Sequence, residues 1–128
     1  MNNCRKIVVV DDDEMTLELI RFTLTSNGYE VFTAVDSMQA IKKIQEEKPD
    51  LVLLDVLLPD LSGLELLSLM QNGNFIEQSP VILMSRLDDG KVLRAAEKLG
   101  AVGYLIKPVQ TDLLLEKIAA LSAFQASS

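Results

Sequence analysis

Short apolar runs alternate with stretches of helical periodicity along this sequence. Five runs predict strands, namely Lys6–Val10, Glu30–Ala34, Leu51–Asp55, Pro80–Met84 with Ser85 at its end, and Val102–Ile106. Most of them are uninterrupted and aliphatic, which suits strands buried on both faces of a parallel sheet. The second run alternates around Val31 and Thr33, so we expect it near an edge of the sheet.

The segments between these strands repeat apolar residues at the spacing of a helix. Five helices are predicted: Glu14–Ser26, a second from a cap at Asp36 or Ser37 to about Lys48, Leu64–Gln71, a fourth from Asp88 or Asp89 to Leu99, and a last one capped by Thr111. Their inner faces carry Leu17, Ile20 and Leu24; Ala40, Ile41 and Ile44; Leu66, Leu67 and Met70; Val92, Ala95, Ala96 and Leu99; and Leu114, Ile118 and Leu121.

Strict alternation of strand and helix predicts an α/β fold. Each strand–helix–strand connection should be a right-handed crossover, which gives a parallel sheet with helices on both faces. We expect one domain over residues 1–124, with 125–128 as a tail or the start of a linker. Architecture alone leaves the function open, because this fold serves many.

Composition excludes several classes of function. The net charge of −7, from 12 basic and 19 acidic residues, argues against direct nucleic-acid binding. No apolar run approaches the ~20 residues of a membrane span, so we expect no membrane insertion. The absence of histidine excludes histidine-dependent triads and metal sites, and the single cysteine, Cys4, forms no internal disulfide and fits a cytoplasmic location.

Polar side chains with complementary chemistry stand at four strand ends. Asp11 and Asp12 follow the first strand, Asp55 ends the third, Ser85 ends the fourth and Lys107 follows the fifth. In a parallel sheet these ends share one edge, where ligands collect. Converging carboxylates repel one another, and a divalent cation with oxygen ligands, such as Mg²⁺, relieves that repulsion. Together with a lysine and a hydroxyl, the set fits phosphoryl transfer onto Asp55.

Each of these residues alone has an ordinary interpretation. The Asp11–Asp13 triplet can be a polar turn, Asp55 a helix-entry residue, Ser85 a cap and Lys107 a solvated lysine. Turns do not explain all four strand ends jointly, and the joint pattern favours a site.

Four motifs in this order resemble the receiver domain of two-component response regulators. They are VVVDD (Val8–Asp12), LLDVLLPDLSG (Leu53–Gly63), PVILMS (Pro80–Ser85) and GYLIKP (Gly103–Pro108). The resemblance spans about Arg5 to Leu121. It implies a flavodoxin-like five-stranded sheet of order 2-1-3-4-5.

The resemblance also implies a phosphorylation site. Asp55 would accept a phosphoryl group from a histidine kinase or a histidine phosphotransfer protein, so the domain would catalyse its own magnesium-dependent phosphorylation and a slow dephosphorylation. Asp12, Asp55 and the backbone carbonyl of Leu57 would bind Mg²⁺, or Mn²⁺ in its place, with Asp11 acting largely through water. Lys107 would pair with a phosphoryl oxygen, and its peptide bond to Pro108 is expected to be cis.

A switch is implied as well. Ser85 would be drawn toward the phosphoryl group and Tyr104 would move inward with it, although an aromatic residue half-packed at a strand edge is an equally good interpretation of Tyr104. The output face would be the fourth helix, fifth strand and fifth helix. Its charged residues can form ion pairs in a phosphorylation-dependent homodimer or simply be solvated: Arg94, Glu97, Lys98, Asp112, Glu116 and Lys117.

Two features depart from the family pattern. Arg86 stands where receivers carry a small residue, and its guanidinium can project into solvent, cover the pocket or contact the phosphoryl group. Leu57 and Leu87 stand two residues past Asp55 and Ser85, beside the path of the attacking water. Because both are apolar, we expect a long-lived acyl phosphate.

Three rival functions follow from the same residues. An aspartate-dependent phosphatase requires a second acid at the position of Leu57. A nucleotide-binding enzyme requires a GxGxxG or GxxxxGK[ST] motif, and the sequence contains neither. A pseudo-receiver, which keeps the fold as a protein-interaction module without phosphorylation, remains the serious alternative.

Overall fold

The computed structural model describes residues 6–73, 79–86 and 90–127. Expectations for Cys4, Leu87, Asp88 and Asp89 lie outside these residues. Within them, no helix is both long enough and apolar enough to cross a membrane.

Strands and helices alternate along the described chain as the sequence predicts. In order they are β1 (Lys6–Val10), α1 (Glu14–Ser26), β2 (Glu30–Ala34), α2 (Ser37–Glu47), β3 (Leu51–Asp55), α3 (Gly63–Asn72), β4 (Val81–Ser85), α4 (Gly90–Lys98), β5 (Gly103–Ile106) and α5 (Thr111–Ser127). Two strands begin one residue later than predicted, at Val81 instead of Pro80 and at Gly103 instead of Val102. Proline has no N–H to donate to a ladder, which accounts for the first difference. The tail boundary at Gln125 stays a prediction.

All strand pairs are parallel, and the order across the sheet is β2-β1-β3-β4-β5. Both features confirm the predicted flavodoxin-like sheet. The register pairs Val10 with Ala34 and Leu54, and it pairs Asp55 with Met84. The strands therefore end nearly level, and the residues that follow them emerge along one edge.

The core consists of two apolar layers, one on each face of the sheet. On one face, α1 and α5 bury Leu17, Ile20, Leu24, Leu114 and Ile118 against Ile7, Val9, Leu51, Leu53, Ile82, Met84 and Leu105. On the other face, α2, α3 and α4 bury Ala40, Ile44, Leu66, Leu67, Met70 and Ala96 against Val8, Val10, Val52, Leu54, Val81 and Leu83. The remaining predicted inner-face residues, Ile41, Val92, Ala95, Leu99 and Leu121, are half-buried. As predicted, β2 is an edge strand, and most of it is only half-buried.

Side chains cap the helices that begin near the carboxyl edge of the sheet. Asp13 caps α1 by accepting a hydrogen bond from the Met15 amide, and Asp36 caps α2. The predicted cap at Thr111 is wrong, because Thr111 is already the first residue of α5. The Leu114 amide donates to the Gln110 carbonyl at 3.0 Å, so the first turn of α5 closes on Gln110.

Candidate functional site

Asp55 is the last residue of β3 and is held in place by the backbone on either side. The amide of Val56 donates to the Met84 carbonyl at 2.9 Å, which continues the β3–β4 ladder past the carboxylate. The Leu57 amide donates to Asp55 Oδ1 at 3.2 Å. Asp55 is only 5% exposed, so the carboxylate is fixed in a nearly dry position at the sheet edge.

Asp11 and Asp12 follow β1, which is the strand next to β3, and their carboxylates lie close to that of Asp55. The Asp11 amide donates to the Ala34 carbonyl at 3.1 Å, and Asp11 Oδ1 accepts from the Asp13 amide at 2.9 Å. Asp11 is fully buried, whereas Asp12 is exposed. One carboxylate oxygen from each of Asp11, Asp12 and Asp55 lies within 4.8 Å of the other two. The predicted acidic cluster is therefore present.

Lys107 reaches the same point from the end of β5. Its amide donates to the Ser85 carbonyl at 2.8 Å, and its peptide bond to Pro108 is cis, as the resemblance implied. Its Nζ lies 3.1 Å from Asp55 Oδ2 and forms an ion pair with Asp11 Oδ2. The ammonium therefore bridges the two buried carboxylates.

Electrostatics at this edge are unbalanced. Burial, together with the negative charge of Asp11, raises the pKa of Asp55, while the Lys107 ammonium opposes that rise. Burial alone would lower the pKa of Lys107, but its contacts with Asp11 and Asp55 raise it. One ammonium thus faces three carboxyl groups, so acidic side chains outnumber basic ones at this edge.

The donor set fits a hard divalent cation. Its atoms are all carboxylate oxygens, the ligand type that Mg²⁺ prefers. The three oxygens lie within 4.8 Å of one another, so one hard divalent cation would be within reach of all three. Asp11 Oδ2 is taken up by its ion pair with the Lys107 ammonium, so Asp11 is less free than Asp12 to contact a cation directly.

A pocket of about 220 Å³ opens at this edge and gives access to Asp55. Leu57 and Arg86 line its rim together with the acidic cluster and Lys107. Both rim side chains are exposed, and Arg86 makes no ion pair with the described residues. The guanidinium therefore stands at the mouth of the pocket, in contact with solvent.

The two expected switch residues lie at different places. Ser85 is buried at the end of β4, and its carbonyl receives the Lys107 amide. Tyr104 is half-buried in the middle of β5, opposite Leu83, and lines an opening between α4 and β5. Ser85 thus follows Met84, the residue paired with Asp55 in the β3–β4 register, whereas Tyr104 lies on the α4–β5 side of the molecule.

Sequence reasoning missed one backbone contact of this site. Gly63 begins α3 so close to the end of β3 that a Cβ there would overlap the Asp55 carbonyl oxygen and lie 2.8 Å from Val56 Cα. The Gly63 amide donates to the Val56 carbonyl at 2.6 Å and closes the loop between them. In the sequence Gly63 stands out only as the last residue of the LLDVLLPDLSG motif, and the sequence contains no signal for this approach.

The chain belongs to the response regulator receiver domain family. The family model matches residues 7–119, which covers every residue of the carboxyl edge described above. The chain is therefore a receiver domain of a two-component system.

Individual relatives agree with this assignment. The chain is 40% identical over 106 residues to the alkaline phosphatase synthesis transcriptional regulatory protein PhoP of Bacillus subtilis (strain 168), an alignment that covers 81% of this chain and 42% of PhoP. The chain thus spans less than half the length of that curated relative.

Solved receiver domains share the fold. The CheY-like receiver domain protein of Methanospirillum hungatei JF-1 has a TM-score of 0.89 at 30% identity over 98% of both chains. A beryllofluoride-activated DrrB receiver domain has a TM-score of 0.81 at 30% identity, covering 91% of this chain and 96% of DrrB.

Proposed function

We propose that this domain accepts a phosphoryl group on Asp55 from a histidine kinase or a histidine phosphotransfer protein. The observation that carries the proposal is the position of Asp55 Oδ2, 3.1 Å from Lys107 Nζ and next to two further carboxylates at the end of an open pocket. The Asp55 oxygen attacks phosphorus, the bond from phosphorus to the donor imidazole breaks, and the imidazole takes up a proton. Lys107 stabilises the charge on the phosphoryl oxygens.

In this proposal the acidic cluster holds a divalent cation. Asp12 and Asp55 would bind Mg²⁺ or Mn²⁺ together with the Leu57 carbonyl, and Asp11 would act through water. When bound, the ion neutralises charge that builds up on the transferring group. The chain's own contribution is to orient the oxygens and to keep Asp55 away from bulk water.

The site is coupled to the output surface through the ends of β4 and β5. Ser85 and Lys107 are joined by a backbone hydrogen bond of 2.8 Å, so movement of Ser85 toward the phosphoryl group also affects β5, which carries Tyr104. We propose that phosphorylation shifts the α4–β5–α5 face between two pre-existing states. A homodimer through that face, a long-lived phosphoryl group beside Leu57 and a cytoplasmic location stay predictions.

The phosphodonor would dock along α1. Met15, Leu19 and Phe22 recur at helical spacing and are 82%, 48% and 69% exposed, which makes an apolar stripe on that helix. Leu19 also lines a pocket of about 470 Å³ that shares Asp13, Arg86 and Lys107 with the pocket above Asp55. A phosphorylated kinase should therefore label Phe22→Ala more slowly than wild type, while phosphoramidate should label both equally.

Beryllofluoride binding tests the proposal directly. We expect Mg²⁺ with beryllofluoride to shift the backbone NMR signals of Asp55, Ser85 and Tyr104 in a saturable way. Asp55→Asn should abolish the shifts, whereas Asp50→Asn, an acid at the opposite end of β3, should retain them. A folded wild-type domain that fails to respond would contradict the proposal and favour the phosphorylation-independent pseudo-receiver.

A further inference from the structure

Asp60 links the loop that leaves Asp55 to a different helix. It lies between β3 and α3, and its Oδ1 accepts hydrogen bonds from the Ser37 amide at 2.9 Å and from its neighbour Leu61 at 2.8 Å. Its Oδ2 accepts from the Met38 amide at 3.2 Å. Ser37 and Met38 are the first two residues of α2, and their amides have no acceptor within that helix.

The amino end of α2 therefore has two carboxylate caps of different origin. Asp36 precedes the helix in sequence and accepts from the Gln39 amide at 2.8 Å. Asp60 comes from 23 residues further along the chain than Ser37. Three backbone amides, those of Ser37, Leu61 and Met38, lower the pKa of Asp60 to about 2, with the Ser37 amide as the largest cause, so its carboxylate is ionised at neutral pH.

The same loop begins at the acidic cluster. Its first residues are fixed by the Leu57 amide, which donates to Asp55 Oδ1, and by the bond of 2.6 Å between the Gly63 amide and the Val56 carbonyl. Between these points the side chain of Asp60 connects the loop to α2. A second contact joins the same segments: the hydroxyl of the fully buried Ser37 donates to the Leu61 carbonyl at 3.4 Å. The loop is thus anchored at Leu57 on one side and, three residues later, to α2 through Asp60.

We infer that Asp60 is a positioning residue for the cation site: its hydrogen bonds to α2 hold the loop so that the Leu57 carbonyl and Asp55 keep a geometry that binds Mg²⁺. The inference rests on the proposed function, because it needs Mg²⁺ at the acidic cluster. Asp60 acts through the loop and touches neither the cation nor the phosphoryl group.

Calorimetric titration with MgCl₂ tests the inference on three variants and the wild type. Asp60→Ala should weaken Mg²⁺ binding about tenfold, the lower limit for residues that orient metal ligands. Asp36→Ala is the matched control, since it removes the other cap of the same helix and leaves the loop untouched; its affinity should stay within about twofold of wild type. Asp60→Asn should fall between them, because its amide oxygen can still accept from the Ser37 and Leu61 amides, whereas the bond from the Met38 amide is lost.

Amide hydrogen exchange provides a readout independent of the cation. The Leu57 amide should exchange faster in Asp60→Ala than in wild type, and at the wild-type rate in Asp36→Ala. If Asp60→Ala does not fold, the comparison is made with Asp60→Asn.

The outcomes separate the two proposals. Wild-type protein that does not bind Mg²⁺ contradicts the proposed function, and the inference fails with it. Wild-type protein that binds Mg²⁺ while both Asp60 variants bind equally well overturns the positioning role alone. Equal losses in Asp60→Ala and Asp36→Ala also overturn it, because they would trace the effect to the stability of α2.

Discussion

Leu53 and Asp55 lie two residues apart on β3, and both are almost completely buried. Around Leu53, the neighbours are apolar side chains of α1, α5 and the adjacent strands. Around Asp55, they are a second buried carboxylate and a single ammonium shared between the two. Burial therefore stabilises the domain at the first position and disfavours the charge at the second, where the pKa is raised.

This difference indicates what each region does. Burial of apolar side chains in the sheet interior stabilises the folded state. The like charges held together at the carboxyl edge destabilise it by a smaller amount. A cation or a phosphoryl group then interacts with charges that are already in place, so little reorganisation is needed on binding. Substitutions in the two regions should consequently change stability in opposite directions.

The largest loss of stability is expected in the interior. Leu53→Ala should lower the free energy of unfolding by about 3 kcal/mol, because it removes a fully buried side chain and leaves a cavity. Urea denaturation measures the change. Leu69→Ala, at a side chain 51% exposed, is the control and should alter stability by less than about 1 kcal/mol. Equal losses at both positions would contradict the assignment of the core.

Gly63 tests the point where the two regions meet. Gly63→Ala should cost about 2 kcal/mol, because the added Cβ overlaps the backbone of Asp55 and Val56. Gly90→Ala is a matched control, since Gly90 also begins a helix and, among the described residues, the atoms nearest to its added Cβ belong to the flexible side chain of Arg94. That variant should be neutral or slightly stabilising. A neutral Gly63→Ala would show that the close approach is not required.

Removing charge at the edge should raise stability. Asp55→Asn keeps the size of the side chain and its contact with the Leu57 amide, but it removes the charge that burial and Asp11 disfavour. We expect the free energy of unfolding to rise by about 1 kcal/mol. This is well below the ~4 kcal/mol repulsion between two like charges 4 Å apart, because the Lys107 ammonium offsets most of that repulsion.

The gain should be largest without divalent cations. Added Mg²⁺ should stabilise the wild type and not Asp55→Asn, which narrows the difference between them. Denaturation with and without MgCl₂ measures both effects, with Asp12→Asn at the exposed carboxylate as the comparison. A destabilised Asp55→Asn would mean that the Lys107 ion pair outweighs the repulsion.

The smallest predicted effect is a change in stability at acidic pH. Hydrogen bonds from backbone amides, that of Ser37 first, lower the pKa of Asp60 to about 2, from an ordinary aspartate value of 3.8. Its contribution to stability is therefore complete above about pH 4 and is lost as the pH falls toward 2. The stability advantage of wild type over Asp60→Asn should be constant between pH 5 and 7 and shrink below pH 4 in urea titrations. An advantage that persists at low pH would rule out the carboxylate as its source.

Most of the fold follows from local sequence. Runs such as Leu51–Asp55 and Val81–Ser85 are uniformly buried, and uniform apolarity is the signal that predicted them. Helix ends were harder to predict, because Thr111 is an equally good residue for a cap and for a first turn. The position of the cap depends on which carbonyl accepts the hydrogen bond from the Leu114 amide, and that carbonyl cannot be identified from the sequence.

The residues of the site also fall into those that local sequence predicts and those that it does not. Asp11, Asp55 and Lys107 were predictable, because parallel strands bring their carboxyl ends together whatever the details of packing. The contacts of Asp60 and Gly63 were not, because each joins segments through a tertiary approach that has no periodic or compositional signal. The role of Tyr104 was implied by family resemblance alone, and its place on the α4–β5 side of the sheet does not test it.

The position of β1 between β2 and β3 has a consequence for how the chain folds as it is synthesised. Both partners of β1, the strands β2 and β3, end by Asp55, so a nascent chain that has just passed Asp55 already contains three adjacent strands of the sheet. We expect β4 and β5 to add to this template one after the other. Transition-state analysis should then give a higher φ-value for Val9→Ala than for Leu105→Ala, although both side chains are buried in the same layer.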